Sequence, residues 1–134
     1  MSLWLAYVNV DAQSAQQWPQ WRGPARDGVA AAQAPSSWPA TLTQKWKVAV
    51  GSGYATPVVA DGRVFVHART GDNETITAYD AATGKPLWND AHAAPYKVNP
   101  AAASHGPGPK SSPVLANDWW VWRNATAASS SPST

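Results

Sequence analysis

Two turn signals set inside short β-branched runs constrain this chain more than anything else in it. Asp61-Gly62 separates Tyr54–Ala60 (YATPVVA) from Arg63–His67 (RVFVH). An Asp-Gly pair between such runs marks a two-residue hairpin, because a type I′ turn needs positive φ at both positions. Thr83-Gly84 then separates Thr75–Asp80 (TITAYD) from Lys85–Asn89 (KPLWN), with Gly84 supplying the positive φ of the reversal. Residues 54–89 therefore read as a four-stranded antiparallel meander, the size of one propeller blade. Gln44–Val50 (QKWKVAV) alternates, with Trp46, Val48 and Val50 on one face and Lys45 and Lys47 on the other. That alternation predicts a further strand. Prolines at 19, 24, 35 and 39 forbid a continuous helix over the Trp/Pro-rich segment 18–43, whose Trp18, Trp21 and Trp38 read as anchors packing a loop on a sheet.

Composition narrows the function classes. Ten basic against eight acidic side chains give a net charge of +2. No run of Lys or Arg provides a nucleic-acid footprint. Cysteine is absent, which removes disulfide scaffolds, thiolate metal sites and cysteine nucleophiles. No apolar run reaches the roughly 18 residues of a transmembrane span. Leu3–Val10 (LWLAYVNV), followed by Ala12, Ser14 and Ala15, has the layout of the end of an export signal without its basic region, so residues 1–17 point to a periplasmic or secreted protein.

The chain also repeats itself. Thr56-Pro57-Val58-Val59-Ala60-Asp61 aligns with Ser112-Pro113-Val114-Leu115-Ala116-Asn117 at an offset of 56, and Trp46 aligns with Trp88 at an offset of 42. The two offsets reconcile if the Pro/Ala/Gly-rich residues 91–110 are an insertion between two repeat units, the second starting at 111–122.

The segment Ala78-Tyr79-Asp80-Ala81-Ala82-Thr83-Gly84-Lys85-Pro86-Leu87-Trp88 matches A-x-D-x-x-T-G-x-x-x-W. This resembles the tryptophan-docking signature of the pyrroloquinoline-quinone-like (PQQ-like) β-propeller repeat family. The resemblance extends over roughly residues 18–118 and includes WPQWRGPARDG and HGPGPKSSPV. It implies an all-β fold, here a partial β-propeller over residues 44–122. Its parts are one four-stranded blade, a closing strand around Trp46 and the start of a second blade. It implies structural roles for Ala78, Asp80, Thr83, Gly84 and Trp88, with Asp80 and Thr83 bonding the turn and the Trp88 ring stacking on the Thr83-Gly84 region of a neighbouring blade. The family usually builds about seven or eight blades. After Asn117 the text departs from the pattern. Trp119-Trp120-Val121-Trp122 and a low-complexity tail, residues 123–134, read either as a shifted reading frame at the end of an N-terminal fragment or as a natural strand with a flexible tail.

Chemistry-bearing residues are sparse. His67, His92 and His105 lack metal-ligand spacing, and Ser111-Ser112 has no Asp and His in a recognisable order. Asp72 and Glu74 read as solvated loop charges. Asn73-Glu74-Thr75 and Asn124-Ala125-Thr126 fit the glycosylation sequon. No catalytic residue and no metal site is assigned. In the quinoprotein dehydrogenases that share the repeat, a tryptophan and a vicinal disulfide clamp the quinone and Glu and Asn hold calcium. The missing Cys speaks against that cofactor here, leaving quinone to a full-length relative. Inner strands of propellers surround a central channel, which makes His105 and Lys110 possible axial ligand contacts.

Two functions follow. One is a non-catalytic scaffold in the cell envelope that binds a protein or other partner, similar in its repeats to the propeller lipoprotein of outer-membrane protein assembly. The other is the N-terminal fragment of a quinone-dependent alcohol or sugar dehydrogenase. A single blade leaves strand edges and apolar faces open, so self-association through those edges is expected. Sedimentation should show assemblies or a broad melt, whereas a sharp cooperative melt of a monomer would contradict this.

Overall fold

A computed structural model describes residues 17–31, 34–116, 119–123 and 128–132. The export-signal-like stretch and the sequon at Asn124 lie outside these residues, apart from Gln17. Among the described residues, seven strands form two antiparallel sheets, β1 to β4 in the first and β5 to β7 in the second, both in sequential order. No α-helix occurs among the described residues; Pro100–His105 is a single 3-10 segment, its first turn capped by the Asn99 side chain accepting from the Ala101 N–H.

The first sheet is the expected meander with shifted limits. β1 is Val58–Ala60, β2 Arg63–Thr70, β3 Asn73–Asp80 and β4 Pro86–Ala93. Asp61 and Gly62 have φ of 49° and 71°, the backbone that the Asp-Gly hairpin requires. A second tight reversal falls at Gly71-Asp72, between the paired residues Thr70 and Asn73. It lengthens β2 and β3 beyond their sequence-derived limits. Glu74 thereby moves from the expected solvated loop into β3, where it is 5% exposed. β4 runs to Ala93, so the insertion begins only after it.

Strand register sorts the side chains. Phe65 faces Ala78, His67 faces Ile76 and Arg69 faces Glu74, while Trp88 and His92 continue these rows on β4. This face holds the core of Val58, Ala60, Phe65, Ile76 and Ala78, with Trp88 and Leu115 packed on it. Leu115 comes from the second sheet, in β5 (Val114–Ala116). Burying side chains such as Phe65 and Ile76 stabilises the blade by about 1.5–3 kcal/mol each. On the opposite face, Ala49, Val50 and Gly51 flank a groove floored by Val66, Ala68, Thr75, Thr77 and Tyr79.

Two sequence expectations are corrected. Gln44–Val50 is not a strand; the nearest ladder-like contact among the described residues lies just beyond it, where Ser52 bridges Arg69. The segment is instead held by the ring of Trp46, so alternation alone does not recruit it into a sheet. The supposed tail also contributes to the second sheet. β6 (Trp119–Arg123) pairs with β5 on one side and with β7 (Ala128–Pro132) on the other. Main-chain pairing needs only a partner strand, and Pro132 sits at the strand's end, where a missing donor is tolerated.

Charged groups are buried in the first sheet. The Arg69 guanidinium donates to the Pro107 carbonyl at 2.8 Å, the Ala94 carbonyl at 2.7 Å and Glu74 at 3.2 Å. His67 Nε2 lies 3.5 Å from the other Glu74 oxygen, and His92 Nε2 lies 3.9 Å from it. His67 Nδ1 faces the Ser111 carbonyl at 3.3 Å. Burial pushes the His67 pKa below its ordinary 6.5, against the opposing pull of the Ser111 carbonyl and the Glu74 carboxylate.

The folded state resists a proton that the unfolded chain accepts, so no penalty exists well above pH 6.5 and one grows as pH falls below it. Urea midpoints at pH 7.5 and 5.5 should differ, and His67→Gln should reduce that difference. An unchanged difference would show that His67 titrates alike in both states. Arg69→Met should cost about 3–5 kcal/mol by leaving Glu74 buried and uncompensated.

Candidate functional site

The residues of the A-x-D-x-x-T-G-x-x-x-W segment come together at the β3–β4 turn. The Asp80 carboxylate accepts from the Thr83 N–H at 2.7 Å and the Thr83 hydroxyl at 2.6 Å. The Thr83 hydroxyl in turn accepts from the Lys85 N–H at 3.3 Å. These bonds from the Thr83 side chain and backbone hold the Asp80 pKa below its ordinary 3.8. Gly84 has φ of 72° and is buried beneath the Trp46 ring. A Cβ there would lie 2.7 Å from the ring. The Trp46 indole N–H donates to the Ala81 carbonyl at 3.0 Å. Trp46 thus caps the kind of turn on which Trp88 is expected to stack in a neighbouring blade. The structure places Trp88 against Phe65 of its own sheet, ring centres 6.0 Å apart. Ala78 is fully buried in the core.

The second constellation lies where the inner edges of the two sheets meet. Trp18 exchanges backbone hydrogen bonds with Val59 of β1, and the Leu115 N–H of β5 donates to the Pro19 carbonyl. One short stretch of chain therefore straps both sheets together. Beyond it, residues 20–28 fold back in a tight loop, with the Gln20 side chain donating to the Pro24 carbonyl and accepting from Arg26 Nε at 3.0 Å. Across from this loop, the Tyr54 N–H donates to the Pro109 carbonyl and the Thr56 N–H to the Ser112 hydroxyl at 2.9 Å.

Between these walls opens a cleft of about 470 Å³ lined by Gln20, Trp21, Arg26, Tyr54, Thr56, Lys110, Ser112 and Val114. Trp21 and Tyr54 are 62% and 60% exposed. The Lys110 ammonium lies 5.9 Å from the centre of the Tyr54 ring, and the His105 ring meets Tyr54 edge-on at 6.3 Å. Lys110 thus lines the cleft and His105 stands behind its aromatic wall. Neither an acidic side chain nor a nucleophile beside a base is present in this lining.

Sequence reasoning names Lys110 and His105 as possible axial ligand contacts and does not place Arg26, Trp21 and Tyr54 beside them. Nothing in a linear pattern joins residue 26 to residue 110. The repeat offset is the one signal that points there, since it aligns Thr56 with Ser112, the pair that the cleft floor brings into contact.

Substitution of Gly84 tests the turn. Gly84→Ala should cost about 2–4 kcal/mol, from the left-handed backbone together with overpacking against the indole. In a Trp46→Ala background the same change should cost less, and a double-mutant cycle measures the coupling. Additive costs would show that the ring does not rest on Gly84.

The family model described as outer membrane protein assembly factor BamB matches residues 30–110, more than half of the chain. Comparison with curated proteins gives no match, and neither does comparison with solved structures. The match spans Trp46, the whole four-stranded sheet, the Asp80–Gly84 turn and the insertion as far as Lys110, and the chain belongs to the PQQ-like β-propeller repeat family that this description covers.

Proposed function

We propose that the chain is a non-catalytic propeller-repeat scaffold of the cell envelope that binds a protein partner through the cleft between its two sheets. The observation that carries this reading is the make-up of the cleft. Two exposed aromatic rings stand beside an arginine, residue types enriched at protein interfaces, and Lys110 adds a second positive charge. The charged groups of the sheet itself have other work: Arg69, Glu74 and His67 fix the insertion, and Asp80 fixes a turn. The family description supports a protein partner, since it names an assembly factor. Residence in the periplasm, or export beyond it, belongs to the same proposal, as does the reading of Trp46 on Gly84 as the family's tryptophan docking.

A quinone with its calcium does not fit the cleft. The lining offers no carboxylate as a calcium ligand, and Glu74 is committed to Arg69 away from it. No Cys exists to form a clamp. The alternative of a dehydrogenase fragment has no comparable observation in its favour.

A photo-crosslinking residue at position 54, set against one at the equally exposed Leu87 of β4, tests the reading in the envelope of the producing cell. Discrete adducts from position 54 alone are expected. The purified chain supplied with quinone, calcium, an alcohol or aldose and a dye acceptor should reduce no dye. Quinone-dependent turnover would overturn the proposal.

A further inference from the structure

The charge around the cleft points to the class of partner. Arg26 and Lys110 both line the cleft, one on the loop after the Trp18 strap and the other at the end of the insertion. Arg26 is tied through Nε to Gln20, which fixes the fork and leaves its terminal nitrogens for another acceptor. It adopts a left-handed backbone, φ 60°, in the tight loop that carries it to the cleft. Lys110 is held over the Tyr54 ring by cation–π attraction. The nearest acid in sequence, Asp27, is not part of the lining, and its carboxylate accepts from the Val29 N–H. The remaining polar lining, from Gln20, Thr56, Tyr54 and Ser112, consists of groups able to donate. The Ser112 oxygen already accepts from Thr56, so its hydroxyl hydrogen is available to donate outward.

We infer that this cleft recognises an acidic peptide segment of a partner protein, with Arg26 and Lys110 binding its carboxylates and Trp21 and Tyr54 flanking its backbone. The inference rests on the partner-binding reading above and gives it a chemical class. Openness decides for a peptide over a small anion. Small-molecule sites bury most of the ligand's surface, whereas here both rings are more than half exposed. Rings in that state gain most from an extended chain laid across them. Two cations with no acid between them make a basic or neutral segment the poorer match.

Fluorescence anisotropy of the chain with a labelled ten-residue peptide of alternating Glu and Ser tests this, beside Lys/Ser and Gln/Ser peptides of the same length. The Glu/Ser peptide should bind most tightly and weaken with added salt. Arg26→Gln and Lys110→Gln should each weaken it about 5-fold, as loss of a partly exposed charge-assisted bond does. The exposed Lys85→Gln, outside the cleft, should change it little. Circular dichroism confirms that the variants fold. Four outcomes overturn the inference. Equal weakening by Lys85→Gln would mean attraction by net charge alone. Equally tight binding of free citrate would mark a small-anion site. Equal binding of all three peptides, lost in Trp21→Ala, would remove the acidic class while leaving partner binding in place. Absence of any peptide binding would count against both readings.

Discussion

The Arg69 guanidinium is the tie on which the rest of this structure depends. Residues 94–113 have almost no regular structure and cannot hold a shape through their own backbone. They lie across the sheet with one buried cation gripping the carbonyls of Ala94 and Pro107 while Glu74 balances its charge, and with the Ala94 N–H donating to the Asp72 carbonyl and His67 facing the Ser111 carbonyl. A guanidinium suits this task, with five donors in a rigid plane and no low-energy neutral form. The Tyr96 ring lies over the same cation, its centre 5.9 Å away. Once the segment is fixed, Pro109 can accept from Tyr54, and Lys110 reaches the cleft. The second wall has a different origin, the Trp18–Pro19 strap across β1 and β5. The cleft thus combines a polar tie made inside the blade with a main-chain tie made at its edge.

Much of the blade is legible in the sequence because its determinants are local. Asp61-Gly62 and Thr83-Gly84 demand particular dihedral angles, and the β-branched runs between them have the period of a strand. Asp80 and Thr83 bond within their own turn. The failures share a different cause. Glu74 reads as a loop charge because a carboxylate is normally solvated, and only its pairing with Arg69 and His67 makes burial tolerable. Gly71-Asp72 is the turn signal that lengthens both strands and carries Glu74 onto the inward row with Ile76 and Ala78. Trp46 reads as part of a strand, yet its ring is held by a glycine and a carbonyl dozens of residues away. The cleft is half legible. Lys110 and His105 stand out through the Gly-Pro loop, whereas Arg26, Trp21 and Tyr54 join them only through the fold.

The resemblance to propeller repeats and the packing of the sheet support one another. A propeller blade covers both of its faces with neighbours, so its inner strands have little need of an apolar/polar alternation. Here one face carries Leu115 of the next sheet, and the other is edged by the extended residues 49–51. The first face is covered and the second is partly sheltered, which matches Val58-Val59 and Val64-Phe65-Val66 being apolar at consecutive positions with Val58 and Phe65 buried and Val59, Val64 and Val66 half-buried.

One hydrogen bond has a geometric meaning beyond its strength. The Thr56 N–H donates to the Ser112 hydroxyl, and these two residues occupy the same position in successive copies of one motif. The contact joins the amide of one copy to the hydroxyl of the next, so its two halves are unlike. Each copy carries both halves, and Thr56 has a hydroxyl of its own to offer in turn. Such a bond is directional and self-propagating. A row of copies joined by the same bond would turn by the same rotation at each step, and the size of that rotation would decide whether the row closes into a ring or winds on as an open spiral.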